Sequence, residues 1–149
     1  MSGKKKELDM QQLIKALDND NNQSIVETEL DYQKMNAAKN TILQQLQMPR
    51  EALKKMHTQL KTYRYVETIN ELRYGGYIRW ISLKNPAELK LTTGGIVVNI
   101  KVVQEDDVHI VCRNNQRRLF QIILNENIIF QKLNDQEQVL LAAMEYLNK

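Results

Sequence analysis

Residues 92–113 read TTGGIVVNIKVVQEDDVHIVCR, and this stretch decides the fold class. The acidic residues 105–107 separate two runs that are rich in Ile and Val. An alternation of period two is typical of a β-strand, and a short polar connection between two such runs indicates an antiparallel hairpin. The alternation places one set of residues, Ile96, Val98, Ile100 and Val102, on one face of the first strand, and a second set, Val97, Asn99 and Lys101, on the other.

Three further runs have the same character: GYIRWISL at 76–83, RRLFQIIL at 117–124 and NIIFQKL at 127–133. Each is short, contains several β-branched residues and is bounded by turn residues. With the two strands of the hairpin they make five closely spaced strands. The sequence therefore predicts an α+β protein with a small five-stranded antiparallel β-barrel of the SH3-like or Sm-like kind.

The remaining segments have the period of amphipathic helices, which predicts two domains. Residues 1–62 form a helical arm, as a coiled coil or a helical hairpin, and residues 63–149 form the barrel with a closing C-terminal helix. Asn134 and Glu137 are spaced as the capping box that starts this last helix. The apolar stripes of the arm are Met10, Leu13, Ile14 and Leu17, then Met35, Ala38, Ile42 and Leu46, then Leu53, Met56 and Leu60.

Composition excludes several classes of function. The 149 residues carry 21 basic and 18 acidic side chains, a net charge of +3, and the part after residue 64 is neutral. A general phosphate-binding surface is therefore not expected there. No apolar run is long enough to span a bilayer, and MSGKKKELD lacks the apolar core of a secretory signal, so neither a membrane nor secretion is expected.

Catalytic and cofactor chemistry has little support in the sequence. The single cysteine, Cys112, excludes an intramolecular disulfide, and with only two histidines the chain has no zinc-binding pattern. His57 and His109 are not part of any signature of a nucleophile and its base. The sequence thus predicts a protein that is not an enzyme and that has no cofactor.

The stretch DNDNNQSIVETE, Asp18 to Glu29, resembles a calcium-binding loop. The oxygen ligands would come from Asp18, Asp20, Asn22, Ser24 and Glu29. However, Gln23 replaces the glycine of such loops, and Val26 stands where an oxygen ligand is needed. Ser24 and Glu27 also have the spacing of a capping box, which explains the same residues without a metal and is the favoured interpretation.

Aromatic and basic residues are interleaved in the second half of the chain. This pattern would suit the binding of single-stranded RNA or DNA. The bases would stack on Tyr74, Tyr77 and Trp80, and the phosphates would be contacted by Arg79, Arg113, Arg117 and Arg118. The alternative is that Trp80 packs in the core while Tyr77 and Arg79 form ordinary surface. The neutral charge of this half favours the alternative.

Residues 63–148 resemble a small domain of proteins from large double-stranded DNA viruses of the mimivirus and phycodnavirus kind. The likeness lies in the GGYIRW, LTTGG and FQKLNDQEQVLL stretches. It implies a viral product located in the host cytoplasm, in a viral factory or in the virion. With the features above, it predicts a non-catalytic binding or assembly protein, which associates with itself or with a partner protein through residues 7–62 and binds a partner through the barrel.

Overall fold

A computed structural model of the protein describes Gln11, Ile14 and residues 32–147. Between residues 32 and 147 there are three α-helices, α1 (Tyr32–Gln44), α2 (Arg50–Gln59) and α3 (Asp135–Leu147). The six strands are β1 (Tyr63–Val66), β2 (Tyr77–Ser82), β3 (Gly95–Gln104), β4 (Asp107–Arg113), β5 (Leu119–Ile123) and β6 (Asn127–Lys132). They form one antiparallel sheet in the order β1-β6-β2-β3-β4-β5. The predicted α+β class is confirmed.

The predicted five-stranded SH3-like or Sm-like barrel is wrong in strand number and in closure. The sheet has a sixth strand, β1, and it is open, with β1 and β5 as its edges. The physical reason lies in β6, which pairs with β1 on one side and with β2 on the other. Because β1 occupies the side of β6 that β5 would need, the strands cannot close into a ring.

The chain divides into two compact units. The larger unit is Ala38–Lys132 and contains the whole sheet with α2 and the end of α1. The other unit includes residues 32–37 and 133–147 of the described chain. The larger unit begins before the sheet because the end of α1 and α2 contribute Leu43, Met56 and Leu60 to a core that they share with the strands.

Two apolar clusters lie on the two faces of the sheet in the larger unit. The helix-side cluster contains Leu43, Met56, Leu60, Tyr63, Ile81, Ile128 and Phe130. The inner cluster, on the opposite face, contains Val66, Leu72, Ile78, Trp80, Val97, Ile110, Cys112 and Ile129. Strand β6 contributes to both, since Ile128 and Phe130 face the helices while Ile129 faces the other way. It is therefore buried on both sides, as a central strand should be.

Strand β3 does not keep the alternation that the sequence predicts. Its pairing with β4 shifts register between Val97 and Asn99. Val97 is buried in the core and Ile100 packs against it, while Val98 is exposed. The predicted grouping of Val98 with Ile100 on one face is therefore wrong. An extra residue in one strand of an antiparallel pair, a β-bulge, changes the phase of the side chains in this way.

Helix α3 begins with the predicted capping box. The Glu137 N–H donates to the Asn134 side-chain oxygen at 2.7 Å, and the Asn134 N–H donates to the Glu137 carboxylate at 3.2 Å. This reciprocal pair satisfies two backbone donors that the first turn of a helix otherwise leaves without partners. The apolar side of α3 is buried, and Leu141 lies in one cluster with Met35 and Leu133.

Lys39 is a buried cation on α1, only 3% exposed. Its ammonium group donates to the carbonyl oxygen of Leu60 at 2.8 Å, which ties α1 to the end of α2. Burial lowers the pKa of Lys39 from 10.5 to about 8, because the charged form loses its hydration. Lys39 is therefore a charged residue that stabilises the packing of α1 against the end of α2.

Lys39 should make stability depend on pH in a defined window. Between about pH 8 and pH 10.5 the folded protein releases the Lys39 proton while the unfolded chain retains it, so stability rises with pH. We expect the Lys39→Met variant to lack about 1–3 kcal/mol of this rise. Urea denaturation at the two ends of the window measures it, with Lys55→Met, an exposed site on α2, as the control. Equal pH dependence in Lys39→Met and in the unsubstituted protein would contradict the assignment.

Candidate interaction surface

Trp80 does not offer its ring for stacking. It is 9% exposed and packs on the inner side of β2 with Ile78, Val97 and Ile110. On the same strand Tyr77 and Arg79 point to the opposite face, since side chains alternate along a strand. The structure therefore favours the packing interpretation for Trp80, and it separates this residue from the other aromatic and basic candidates.

Tyr77 and Arg79 hold the segment that leads into β3. The Tyr77 hydroxyl donates to the carbonyl oxygen of Thr93, and the Arg79 Nε donates to the carbonyl oxygen of Thr92 at 2.7 Å. Between them passes Gly94, with φ at 90°, where a Cβ would clash with the carbonyl oxygen of Ile78. Only glycine fits this backbone conformation and this close approach. The polar groups of Tyr77 and Arg79 thus have structural partners.

Four strands bring one row of side chains together on the helix side of the sheet. Tyr77 pairs with Ile96, Ile96 with Arg113, and Arg113 with Leu119. Directly opposed residues in antiparallel strands share a face, with Cβ atoms about 5 Å apart. The row therefore places the aliphatic stem of Arg113 between two apolar side chains, Ile96 and Leu119.

The β4–β5 connection adds two further arginines at the end of this row. The Asn114 side-chain oxygen accepts the N–H groups of Gln116 at 3.0 Å and Arg118 at 2.9 Å, which fixes the turn. Arg117 has φ at 64° and lies at the tip. Arg113, Arg117 and Arg118 are exposed, and no ion pair within the described residues neutralises them. Three sequence-predicted arginines thus lie close together at one end of the sheet.

An apolar face accompanies these arginines, and sequence reasoning missed it. Helices cover the outward side of β1, β6 and β2, but the same side of β3, β4 and β5 has no helix over it in Ala38–Lys132. Ile96 is 44% exposed, Val98 37% and Leu119 62%. We call this surface, defined by Ile96, Val98, Arg113 and Leu119, the β3–β5 face. The aliphatic richness of β3 was visible in the sequence, but the bulge that exposes it was not.

Tyr74, the remaining predicted stacking residue, is 57% exposed. It precedes Gly75 and Gly76, whose backbone groups bond to the N–H and C=O of Val97. Its ring is therefore accessible near the start of β3, on a turn that the sheet anchors.

A cleft of about 240 Å³ lies on another part of the sheet. Its walls include Trp80 and Ser82 of β2, Gln121, Ile122 and Ile123 of β5, and Lys84 and Glu126, which form an ion pair at 3.2 Å. Strands β2 and β5 are three places apart in the sheet order, so the sheet must be strongly curved to bring them to one cleft. The cleft is too small to hold more than a side chain or a small molecule.

The titratable groups of the described residues do not assemble a catalytic or metal centre. His109 bonds to Asp107 at 2.7 Å and to the Gln121 side chain, with no nucleophile in this chain of contacts. Burial raises the pKa of the Cys112 thiol to about 12, so it is held as an inert thiol. Residues 11, 14 and 32–147 contain no group of three His, Cys, Asp or Glu placed to bind a metal. The calcium-loop residues Asp18, Asp20, Asn22, Ser24 and Glu29 lie outside the described part of the chain.

Comparison with protein families, with curated proteins and with solved structures finds no match to this chain. The resemblance to domains of large DNA viruses therefore stays a prediction. No helix in the described part of the chain has the length and apolar character needed to cross a membrane.

The placement of Trp80 predicts a stability effect. Trp80→Ala removes a large side chain from the inner cluster, and we expect it to lower the free energy of unfolding by about 3–5 kcal/mol. Tyr74→Ala, at an exposed aromatic residue, should change it by less than about 0.5 kcal/mol. Urea denaturation followed by circular dichroism compares the two. Equal and small effects would show that Trp80 is a surface residue.

Proposed function

We propose that the protein is a non-catalytic binding and assembly protein whose β3–β5 face docks a partner protein. One observation carries the proposal: Ile96, Val98 and Leu119 remain exposed on a sheet whose other half is covered by helices. Contiguous exposed apolar side chains on a folded domain mark interaction sites, because their burial is favourable only when a partner supplies the other surface.

The chemistry of the face indicates what the partner should offer. Arg113 lies between Ile96 and Leu119, and Arg117 and Arg118 follow at the adjacent turn. An arginine stem packs on apolar surface while its guanidinium reaches a carboxylate, which is why arginine is enriched at interfaces. The face therefore suits a protein segment that combines apolar side chains with acidic ones.

The helical segment 7–62 is a second proposed element of association. Leu43, Met56 and Leu60 of this segment are already buried in the helix-side cluster. The association would therefore use other residues of the segment. The likeness to proteins of large DNA viruses supports a viral assembly factor, acting in the host cytoplasm, in a viral factory or in the virion.

The β3–β5 face should capture the partner in a cross-linking experiment. A photo-reactive amino acid at position 98 is expected to trap a protein in the native source, whereas the same probe at position 83, also partly exposed, is expected to trap none. With the captured partner purified, Ile96→Glu should weaken binding by about tenfold or more, a loss of at least about 1.4 kcal/mol. Leu83→Glu is the matched control.

The proposal fails if position 98 traps nothing that position 83 does not also trap. It fails equally if the purified partner binds the Ile96→Glu variant as tightly as the unsubstituted protein. Circular dichroism of Ile96→Glu separates a lost contact from a lost fold.

Binding of single-stranded nucleic acid is the second candidate function. The observation that favours it is the group of three exposed arginines, Arg113, Arg117 and Arg118, close to the β3–β5 face. Exposed cations without carboxylate partners can contact phosphates, and Tyr74 offers an accessible ring. Against it, Trp80 is buried, and Tyr77 and Arg79 already bond to Thr93 and Thr92.

Fluorescence anisotropy with a short single-stranded RNA and the corresponding DNA tests this candidate. If Arg117 and Arg118 contact phosphates, the double variant Arg117→Ala/Arg118→Ala should lower the slope of log affinity against log salt by about 1.4. The matched control, Lys84→Ala/Lys90→Ala, removes two positive charges that are paired with Glu126 and Glu88. Absence of binding at low salt would eliminate the nucleic-acid function.

A further inference from the structure

The two edges of the sheet differ in how they are protected. At one edge, β1 buries Tyr63 and Val66 and carries the charged Arg64. At the other edge, β5 has the sequence LFQII, without a charge, a proline or a glycine, and its Leu119 and Phe120 are 62% and 44% exposed. Soluble proteins usually guard such an edge with a charge, a proline or a bulge. An unguarded apolar edge is therefore a place where another strand can add.

The hydrogen-bond pattern shows which backbone groups β5 offers. The Asn114 N–H donates to the Arg118 carbonyl oxygen at 3.0 Å, so this pair is a bonded pair of the β4–β5 ladder. Bonded pairs alternate with non-bonded ones in an antiparallel ladder, which makes 112/120 and 110/122 the next bonded pairs. The backbone groups of Leu119, Gln121 and Ile123 consequently point to the free edge, where the Ile123 carbonyl oxygen also accepts a hydrogen bond from the Asn127 side chain at 2.9 Å.

We infer that β5 pairs antiparallel with β5 of a second copy of this chain, about a two-fold axis at Gln121. In this register the two Gln121 residues exchange backbone hydrogen bonds across the axis. Leu119 then lies opposite Ile123 of the other copy on the outward face, and Phe120 lies opposite Ile122 on the inner face. Each apolar side chain of the edge gains an apolar cross-strand partner.

The charges at the two ends of β5 support a second copy as the partner. Arg117 and Arg118 precede β5, while the β3–β4 turn, with Glu105, Asp106 and Asp107, lies beyond its other end. The Asn125 side chain donates to the carbonyl oxygen of Asp106, which places that acidic turn against the end of β5. An antiparallel two-fold arrangement sets the basic end of each copy against the acidic end of the other. A parallel arrangement would set like charges together.

This inference deepens the proposed assembly function and rests on it. The two surfaces share Leu119, Arg117 and Arg118, but Ile96 and Val98 belong to the β3–β5 face alone. The edge of β5 lies two strands away from Ile96 and Val98 in the sheet order. A protein partner on the β3–β5 face and a second copy at the edge can therefore be tested separately. Gln121 is exposed and its backbone N–H has no role in the β4 ladder, so a substitution there keeps the β4–β5 backbone pairing and removes only the side-chain bond to His109.

Charged substitutions of Gln121, at the proposed two-fold axis, provide the test. Sedimentation velocity of the full chain, from low micromolar to several hundred micromolar, should show a dimer. Gln121→Lys and Gln121→Glu each place two like charges at the axis, and each should raise the dissociation constant about tenfold or more. An equimolar mixture of the two variants should recover the dimer, because a lysine then faces a glutamate. Gln45→Lys, an exposed site at the end of α1, is the matched control.

The outcomes separate the two proposals. A full-length protein that stays monomeric at the highest concentration overturns pairing through β5, while cross-linking from position 98 still reports on the partner-binding face. A dimer that both Gln121 variants retain also overturns it, and points to association through residues 7–62. Loss of the dimer in each variant with recovery in the mixture supports the two-fold arrangement.

Discussion

The β-bulge between Val97 and Asn99 is the constraint on which the rest of the exposed sheet depends. Two inward positions, Val97 and Ile100, are three residues apart, which strict alternation does not allow. The extra residue absorbs the difference, so both aliphatic side chains reach the core while Asn99 and Lys101 stay in solvent. Without the bulge, strict alternation would either keep Val97 in the core and bury Asn99 with it, or keep Ile100 in the core and expose Val97. Because Val97 faces the core, its neighbours Ile96 and Val98 lie on the other side of β3 and contribute to the apolar β3–β5 face.

The central position of β6 determines which parts of the sheet remain available for binding. Because β6 pairs on both sides and is buried on both faces, the half of the sheet around it forms the stable part of the fold. Strands β3, β4 and β5 extend from this half as a curved ribbon, with one side packed on the inner cluster and the other in solvent. Because the fold already holds these strands in place, a binding surface on them loses little conformational entropy on association. Strands β3 and β4 therefore contribute Val97, Ile110 and Cys112 to the core on one face and carry the proposed recognition surface on the other.

Part of this arrangement could be read from the sequence, and the reasons for the rest are physical. The β3–β4 hairpin follows from its period, and the start of α3 follows from Asn134 and Glu137, since both are local patterns. The bulge could not be predicted, because no glycine or proline marks it in the sequence and it depends on the packing of side chains in the core. The burial of Lys39 depends on a distant carbonyl, that of Leu60, which no helical pattern shows. The open sheet depends on β1, whose four residues YRYV are too few to give a strand signal. The candidate arginines could be predicted because their charge is given by the residue type. The exposed face and the exposed edge could not be predicted, because they depend on how the strands pair.

Amide hydrogen exchange resolved to single residues tests the central claim most directly, because it reads the β5 edge without any substitution. The account predicts that the Phe120 and Ile122 amides, bonded within the sheet, are protected at every protein concentration. The outward amides of Leu119, Gln121 and Ile123 should exchange rapidly in dilute protein and gain protection as concentration rises. Protection of these three amides that does not change with concentration, whether high or low throughout, would contradict pairing of this edge with a second copy.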